Sequence, residues 1–132
     1  MKSNENKPTV AVVIPCYQEA ASIGKVVADF RRELPDARVY VFDNNCTDGT
    51  AQIATKAGAI VVREKRQGKG FVVASMFDQI DEDLLVMVDG DDTYEAGFIH
   101  KLMEPILRGD DATDGLVTED VQRAERFIFM VA

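Results

Sequence analysis

The chain has 132 residues, 46% of them hydrophobic, and carries a formal charge of −8 from 23 acids against 15 bases. That length holds a single compact core, and that apolar content argues against a disordered chain. The acidic balance excludes nucleic acid as the main partner, because phosphate backbones require a basic face.

Residues 1–8 read as a polar tail without the apolar stretch of a signal peptide, and no run approaches the ~20 residues of a membrane span. Thr9-Val10-Ala11-Val12-Val13-Ile14 is a β-branched run expected to form a buried strand that Pro15 stops, with Cys16-Tyr17-Gln18-Glu19 at its carboxyl end. Ile23, Val26, Val27, Phe30 and Leu34 follow at helical spacing, and Pro35 stands just beyond them. Arg38-Val39-Tyr40-Val41-Phe42 is the second strand, ending at Asp43. The turn-rich stretch Asn44 to Thr50 leads to a helix face of Ala51, Ile53, Ala54 and Ala57, closed by Gly58. Ala59-Ile60-Val61-Val62 is the third strand. Arg63, Lys65, Arg66 and Lys69 then concentrate the local positive charge before a helix marked by Val72, Val73, Met76, Phe77 and Ile80.

Leu84-Leu85-Val86-Met87-Val88 runs directly into Asp89-Gly90-Asp91-Asp92, a buried strand that delivers carboxylates to its end. Such residues also make ordinary turns after strands. Crowded carboxylates repel, however, and the pattern suits a hard cation such as Mg²⁺ or Mn²⁺ held by Asp89 and Asp91 together with diphosphate oxygens. An EF-hand calcium loop is excluded, because Tyr94 stands where glycine is required and His100 where glutamate is. Phe98, Ile99, Leu102, Met103, Ile106 and Leu107 predict a further helix, kinked or ended near Pro105. His100, the only histidine, reads as a residue of that helix rather than a base.

Strand and helix patterns alternate through residues 9–110, which predicts a largely parallel α/β sheet covered on both faces. All strand carboxyl ends then share one edge, where such sheets bind ligands. In the tail, 111–132, Val117, Val121, Ala124 and Ile128 fit a last amphipathic helix, and the apolar end 127–132 reads as either a docking surface or the start of a strand. Cys16 and Cys46 lack metal-ligand spacing and are too few for a disulfide scaffold, so a reducing, cytoplasmic setting is expected. Gly68-Lys69-Gly70 at a helix start suits a phosphate, although Arg63 and Gly70 break the P-loop pattern.

Together these segments resemble the family 2 glycosyltransferases of the GT-A fold. Val13-Ile14-Pro15-Cys16-Tyr17-Gln18-Glu19 looks like that family's first strand and its Pro-x-Tyr-Asn-Glu turn, with Gln18 in place of Asn. The segment from Val41 to Thr50 resembles its Val-Asp-Asp/Asn-x-Ser-x-Asp-Gly-Thr stretch, with Cys46 where Ser is usual, and Gly68-Lys69-Gly70 and Asp89-Gly90-Asp91 complete the set. The resemblance implies a Rossmann-like nucleotide-sugar-binding domain over 9–110. It implies a donor site of Pro15, Tyr17, Glu19, Asp43, Asn45, Lys69 and Asp89, and a Mg²⁺ or Mn²⁺ ion on Asp89 and Asp91. The implied reaction is inverting sugar transfer from a nucleotide-diphosphate sugar.

Asp92-Thr93-Tyr94 hints at the branch that uses polyprenyl-phosphate acceptors, which implies a peripheral place at the inner face of a membrane. Asp43 alternatively caps its own turn, and Asp48 reads as structural, favouring the start of a helix. Family members carry the acceptor base after a fifth strand ending in a Gly-Ser-Arg or Gly-Asp-Arg type motif. No such strand or motif is expected after Asp111. The chain therefore reads as the donor-binding half of a transferase, its catalytic base unassigned. Completion by another chain, self-association through an exposed sheet edge, or a role as a non-catalytic binding module are the expectations that follow.

Overall fold

A computed structural model describes residues 8–107, 116–117 and 127–131. Strand β1 (Val10–Cys16) leads through α1 (Ile23–Glu33) to β2 (Arg38–Asp43), α2 (Thr50–Ala57), β3 (Ile60–Arg63), α3 (Lys69–Gln79) and β4 (Leu84–Val88). A 3₁₀ turn (Ala96–Phe98) opens α4 (Ile99–Leu107), and two further strands follow, β5 (Leu116–Val117) and β6 (Phe127–Val131). The apolar spacing chose the helices as expected: α1 buries Ile23, Val26, Val27 and Phe30. Gly58 closes α2 in the left-handed region (φ 107°). A side chain there would meet the Arg31 guanidinium, which donates to the Ala57 carbonyl at 3.1 Å.

The sheet has the order β3-β2-β1-β4-β6-β5, all parallel except β5, which runs antiparallel to β6. Its two faces follow the strand period of two. Val12, Ile14 and Cys16 of β1 and Leu84, Val86 and Val88 of β4 join the α1 residues and Ala54, Ile99 and Met103 in one cluster. Ala11, Val13, Leu85 and Met87 pack with Val72, Met76 and Ile80 in the other. Both faces are covered, which is why the strands read as continuous apolar runs.

Two sequence expectations are corrected. Pro15 does not stop β1; it pairs in register with Phe42, one residue before the strand ends. The Cys16 carbonyl accepts from Asn44 N–H on the β2 side, so by alternation Pro15 faces β4, whose ladder with β1 ends at Val13. The missing N–H therefore breaks no ladder bond.

The tail is the second correction. Val117 and Ile128 lie in strands rather than in a helix, while Val121 and Ala124 lie outside the described residues. The run Phe127-Ile128-Phe129-Met130-Val131 is β-prone, and it pairs with Leu84 to Val88 along its whole length. That ladder outweighs the helical spacing. β4 is thus an inner strand, with β6 on its outer side. Residues 1–7 and 108–115 lie outside the described residues.

Candidate donor-binding site

The chain passes from β1 outward to β2 and β3, then crosses back to place β4 on the other side of β1. This is the topological switch point, where parallel sheets open a crevice beyond their strand ends. A cleft of about 260 Å³ lies there. That volume is below the roughly 300–1,000 Å³ of enclosed ligand pockets, so the cleft can grip only part of a larger ligand. Pro15, Tyr17 and Glu19 line it from the end of β1, Asp89 from the end of β4, and Gln67, Gly68 and Lys69 from the approach to α3. Tyr17 is 56% exposed, an aromatic face turned to solvent at the rim.

The turns after β1 and β2 are stitched together. The Gln18 amide donates to Thr47 Oγ1 and accepts from Thr47 N–H, both at 2.8 Å, with Gln18 itself at φ 58°. Glu19 N–H donates to Thr50 Oγ1 at 3.0 Å. Asp48 accepts from Ala20 N–H and Thr50 N–H, both at 3.1 Å, and from the Thr50 hydroxyl. Asp48 therefore ties the loop that carries Glu19 to the first N–H of α2, a structural role at the helix start that also joins two loops. Cys16 is buried, and burial first, then Cys46 and the carboxylates of Glu19, Asp43 and Asp48, push its thiol well up. It stays protonated and unreactive.

A second network fixes the basic loop. Asn44, 4% exposed, uses its full amide capacity: it donates to the carbonyls of Glu64 and Arg66 at 2.8 and 2.9 Å and accepts from Gly68 N–H at 2.9 Å and the Gln67 amide at 3.2 Å. Asn45, at φ 68°, donates to the Lys65 carbonyl and to Gln67. Glu64 is buried and accepts from the Arg66 guanidinium, the Arg66 N–H and the Ser75 hydroxyl. Arg66 also lies 4.8 Å over the Phe71 ring of α3, which ties the loop to that helix.

The Arg66 guanidinium, then Ser75, hold the Glu64 carboxyl down from the usual 4.5 to about 2. A depressed carboxyl stabilises the fold above its unfolded pKa, and that contribution is lost as pH falls through the folded value. Glu64→Gln is therefore expected to lower the melting temperature at pH 7, with the gap to wild type closing between about pH 4.5 and pH 2. Melts across that range that run parallel for the two proteins would contradict this assignment.

On the acidic loop, Asp89 Oδ1 pairs with Lys69 Nζ at 3.2 Å, and Asp91 Oδ1 accepts from Thr93 N–H at 3.2 Å and Thr93 Oγ1 at 2.8 Å. Asp92, at φ 64°, pairs with Lys25 at 3.2 Å. Gly90 is pressed against β1: an added Cβ would stand 3.0 Å from Cys16 Sγ and 3.3 Å from Glu19 Cγ. Gly90→Ala is thus expected to cost about 1–3 kcal/mol in a denaturant melt and to displace Glu19. Wild-type stability in that variant would show that the contact yields freely. Burial, then Asp91, Asp89 and Asp48, raise the Glu19 carboxyl above its usual range.

The donor set fits a divalent cation in one respect and limits it in another. Among the described residues no group of three or more His, Cys, Asp or Glu side chains gathers closely enough to hold an ion alone. Mg²⁺ ordinarily takes one or two carboxylates and completes its shell with water and phosphate oxygens, a number that Asp89 and Asp91 match.

Of the residues singled out from the sequence, the cleft brings together Pro15, Tyr17, Glu19, Lys69 and Asp89. Asp91, Asp43 and Asn45 lie outside its lining. Asp43 is buried and its Oδ1 accepts from Cys46 N–H at 2.8 Å, the turn cap that was the alternative reading. Sequence reasoning missed Asn44, Gln67 and Val72 as lining residues; only the adjacent pair Asn44-Asn45 hinted at the first. His100 is an exposed helix residue paired with Glu33 at 3.1 Å.

A largely parallel, doubly covered sheet with a cleft of acidic and basic side chains at its switch point defines an α/β protein of the GT-A type. The model of the glycosyl transferase family 2 matches residues 11–127, and the chain belongs to that family. It is 48% identical over 99 residues to Protein RfbJ of Shigella flexneri, covering 75% of this chain and 77% of that one. It is 36% identical over 110 residues to a dolichyl-phosphate hexose transferase of Haloferax volcanii, covering 80% of this chain and 46% of that one. The fold is similar to that of Mycobacterium tuberculosis glucosyl-3-phosphoglycerate synthase, solved in complex with Mn²⁺, UDP-glucose and phosphoglyceric acid, with a TM-score of 0.71 and 27% identity. That match covers 89% of this chain and 44% of the synthase. The chain thus spans less than half the length of the last two relatives.

Proposed function

We propose that residues 9–110 bind the nucleotide-diphosphate sugar donor of an inverting sugar transfer. The observation that carries this reading is the meeting of Glu19, Lys69 and Asp89 in one cleft at the switch point of a family 2 chain. Tyr17 and Pro15 form an apolar rim against which a nucleobase and ribose can rest. Asp43 has Oδ1 committed to Cys46 N–H, so it would accept from the base or ribose through its second oxygen. Asn45, committed to Lys65 and Gln67, supports the loop behind Lys69.

Lys69 begins α3, whose first N–H groups have no acceptor within the helix, and the ammonium and those N–H groups together suit a diphosphate. Asp89 and Asp91 would hold Mg²⁺ or Mn²⁺, which when bound neutralises negative charge on a departing diphosphate. The synthase complex with Mn²⁺ and UDP-glucose supports this choice of ligands. For the acceptor, the dolichyl-phosphate hexose transferase supports a polyprenyl phosphate at a membrane surface. No helix among the described residues is long and apolar enough to cross a membrane.

Calorimetric titration of UDP and GDP, each with and without Mn²⁺, tests the reading. Binding of one of them that strengthens with Mn²⁺ is the expected result. A folded chain that binds neither would overturn it.

A further inference from the structure

We infer that Lys69 is an exchangeable counter-charge, shared between Asp89 and the diphosphate, which makes divalent-cation binding and diphosphate binding depend on one another. The inference rests on the donor-site reading and goes beyond it, because it predicts how the two ligands couple.

The geometry sets up a competition. Lys69 Nζ stands 3.2 Å from Asp89 Oδ1, a carboxylate that also belongs to the proposed cation site. An ion bound to that carboxylate sits about 2.0–2.1 Å from its oxygen, which puts two like charges within a few ångströms of each other. Their repulsion weakens the ion unless Lys69 moves or an anion joins them. Lys69 can move. Its side chain is 55% exposed and it is the first residue of α3, so reorienting it disturbs no packed core. An anion lodged between Lys69, the α3 N-terminus and the cation would satisfy all three. A diphosphate has that charge and reach.

The neighbouring lysine differs in kind. Lys25 holds Asp92 at 3.2 Å but also holds Asp29 at 2.7 Å on its own helix, and it does not line the cleft. It neutralises the acidic loop without standing between cation and ligand. Lys25→Met therefore serves as the control for a general loss of positive charge.

The test is Mn²⁺ binding followed by electron paramagnetic resonance, which reads free Mn²⁺ directly, with and without UDP, on wild type, Lys69→Met and Lys25→Met. In wild type, UDP is expected to tighten Mn²⁺ binding, and by linkage Mn²⁺ tightens UDP by the same factor. Lys69→Met is expected to bind Mn²⁺ alone about two- to five-fold more tightly, the worth of an exposed ion pair. It is expected to bind UDP with Mn²⁺ about tenfold more weakly, for want of a charged donor. The UDP–Mn²⁺ coupling then falls, while Lys25→Met retains it. Wild type that binds no UDP with Mn²⁺ would remove both this inference and the donor-site reading. Wild type that binds both, with Lys69→Met behaving like Lys25→Met, would overturn the role of Lys69 alone.

Discussion

Asp91→Ala is expected to abolish metal-dependent nucleotide binding while leaving the fold almost unchanged. The side chain is exposed, and among the described residues its hydrogen bonds go to Thr93 alone, so stability should stay within about 0.5 kcal/mol of wild type. Binding is another matter. Loss of a residue that supports a metal ligand from outside the coordination shell typically costs 10–100-fold, and loss of a ligand itself should cost at least about 100-fold. Glu19 gives a second readout, because Asp91 is the largest carboxylate contribution to its raised pKa. Removing Asp91 should let the Glu19 carboxyl ionise at lower pH, observable by carboxyl-carbon NMR. Calorimetry that finds wild-type affinity in the variant would place the cation elsewhere.

Asn44→Ala is expected to be the most damaging single change near the site for stability and binding together. Asn44 is buried and bridges two carbonyls, one N–H and one side-chain amide of the loop from Glu64 to Gly68. Truncation strands the buried Glu64 carbonyl and frees Gly68, which caps α3 ahead of Lys69. Each buried group left unpaired costs about 1–3 kcal/mol, so a total of about 2–4 kcal/mol is expected in a denaturant melt. Nucleotide affinity should fall about tenfold as Lys69 loses its support, since misplacing a binding group forfeits its charged hydrogen bond. Asn44→Asp keeps the acceptors but removes both donors, and it should fare no better. A loss below about 1 kcal/mol for Asn44→Ala would mean that water replaces the network.

Much of this was legible because it is local. The apolar spacing of Ile23, Val26, Val27 and Phe30 marks a helix face wherever it occurs, and Leu84 to Val88 running into Asp89 marks a buried strand with acids at its end. The alternation of such segments implies a parallel sheet, and a parallel sheet implies a ligand edge. That logic, with the family resemblance, singles out Pro15, Tyr17, Glu19, Lys69 and Asp89, which line the cleft, along with Asp43, Asn45 and Asp91, which do not.

What stayed hidden depends on partners distant in sequence. Asn44 looks like any turn asparagine until its acceptors and donors, 20 to 24 residues away, are known. Pro15 looks like a strand breaker because its tolerance depends on where the β4 ladder happens to end. The tail divides in the same way: the helical period of Val117 and Ile128 gives way to strands, whereas the reading of 127–132 as the start of a strand holds in β6, paired with β4. Local period loses to a ladder that no window of sequence contains.

On the proposed function, a divalent cation and a nucleotide diphosphate meet at the carboxyl ends of β1 and β4. Anomalous diffraction from crystals soaked with UDP and Mn²⁺ tests it most directly. The expected result is a manganese peak beside the Asp89 and Asp91 carboxylates with the nucleotide diphosphate next to it, and Lys69 turned from Asp89 toward the phosphate oxygens. A manganese ion and nucleotide bound away from Glu19, Lys69 and Asp89 would contradict it.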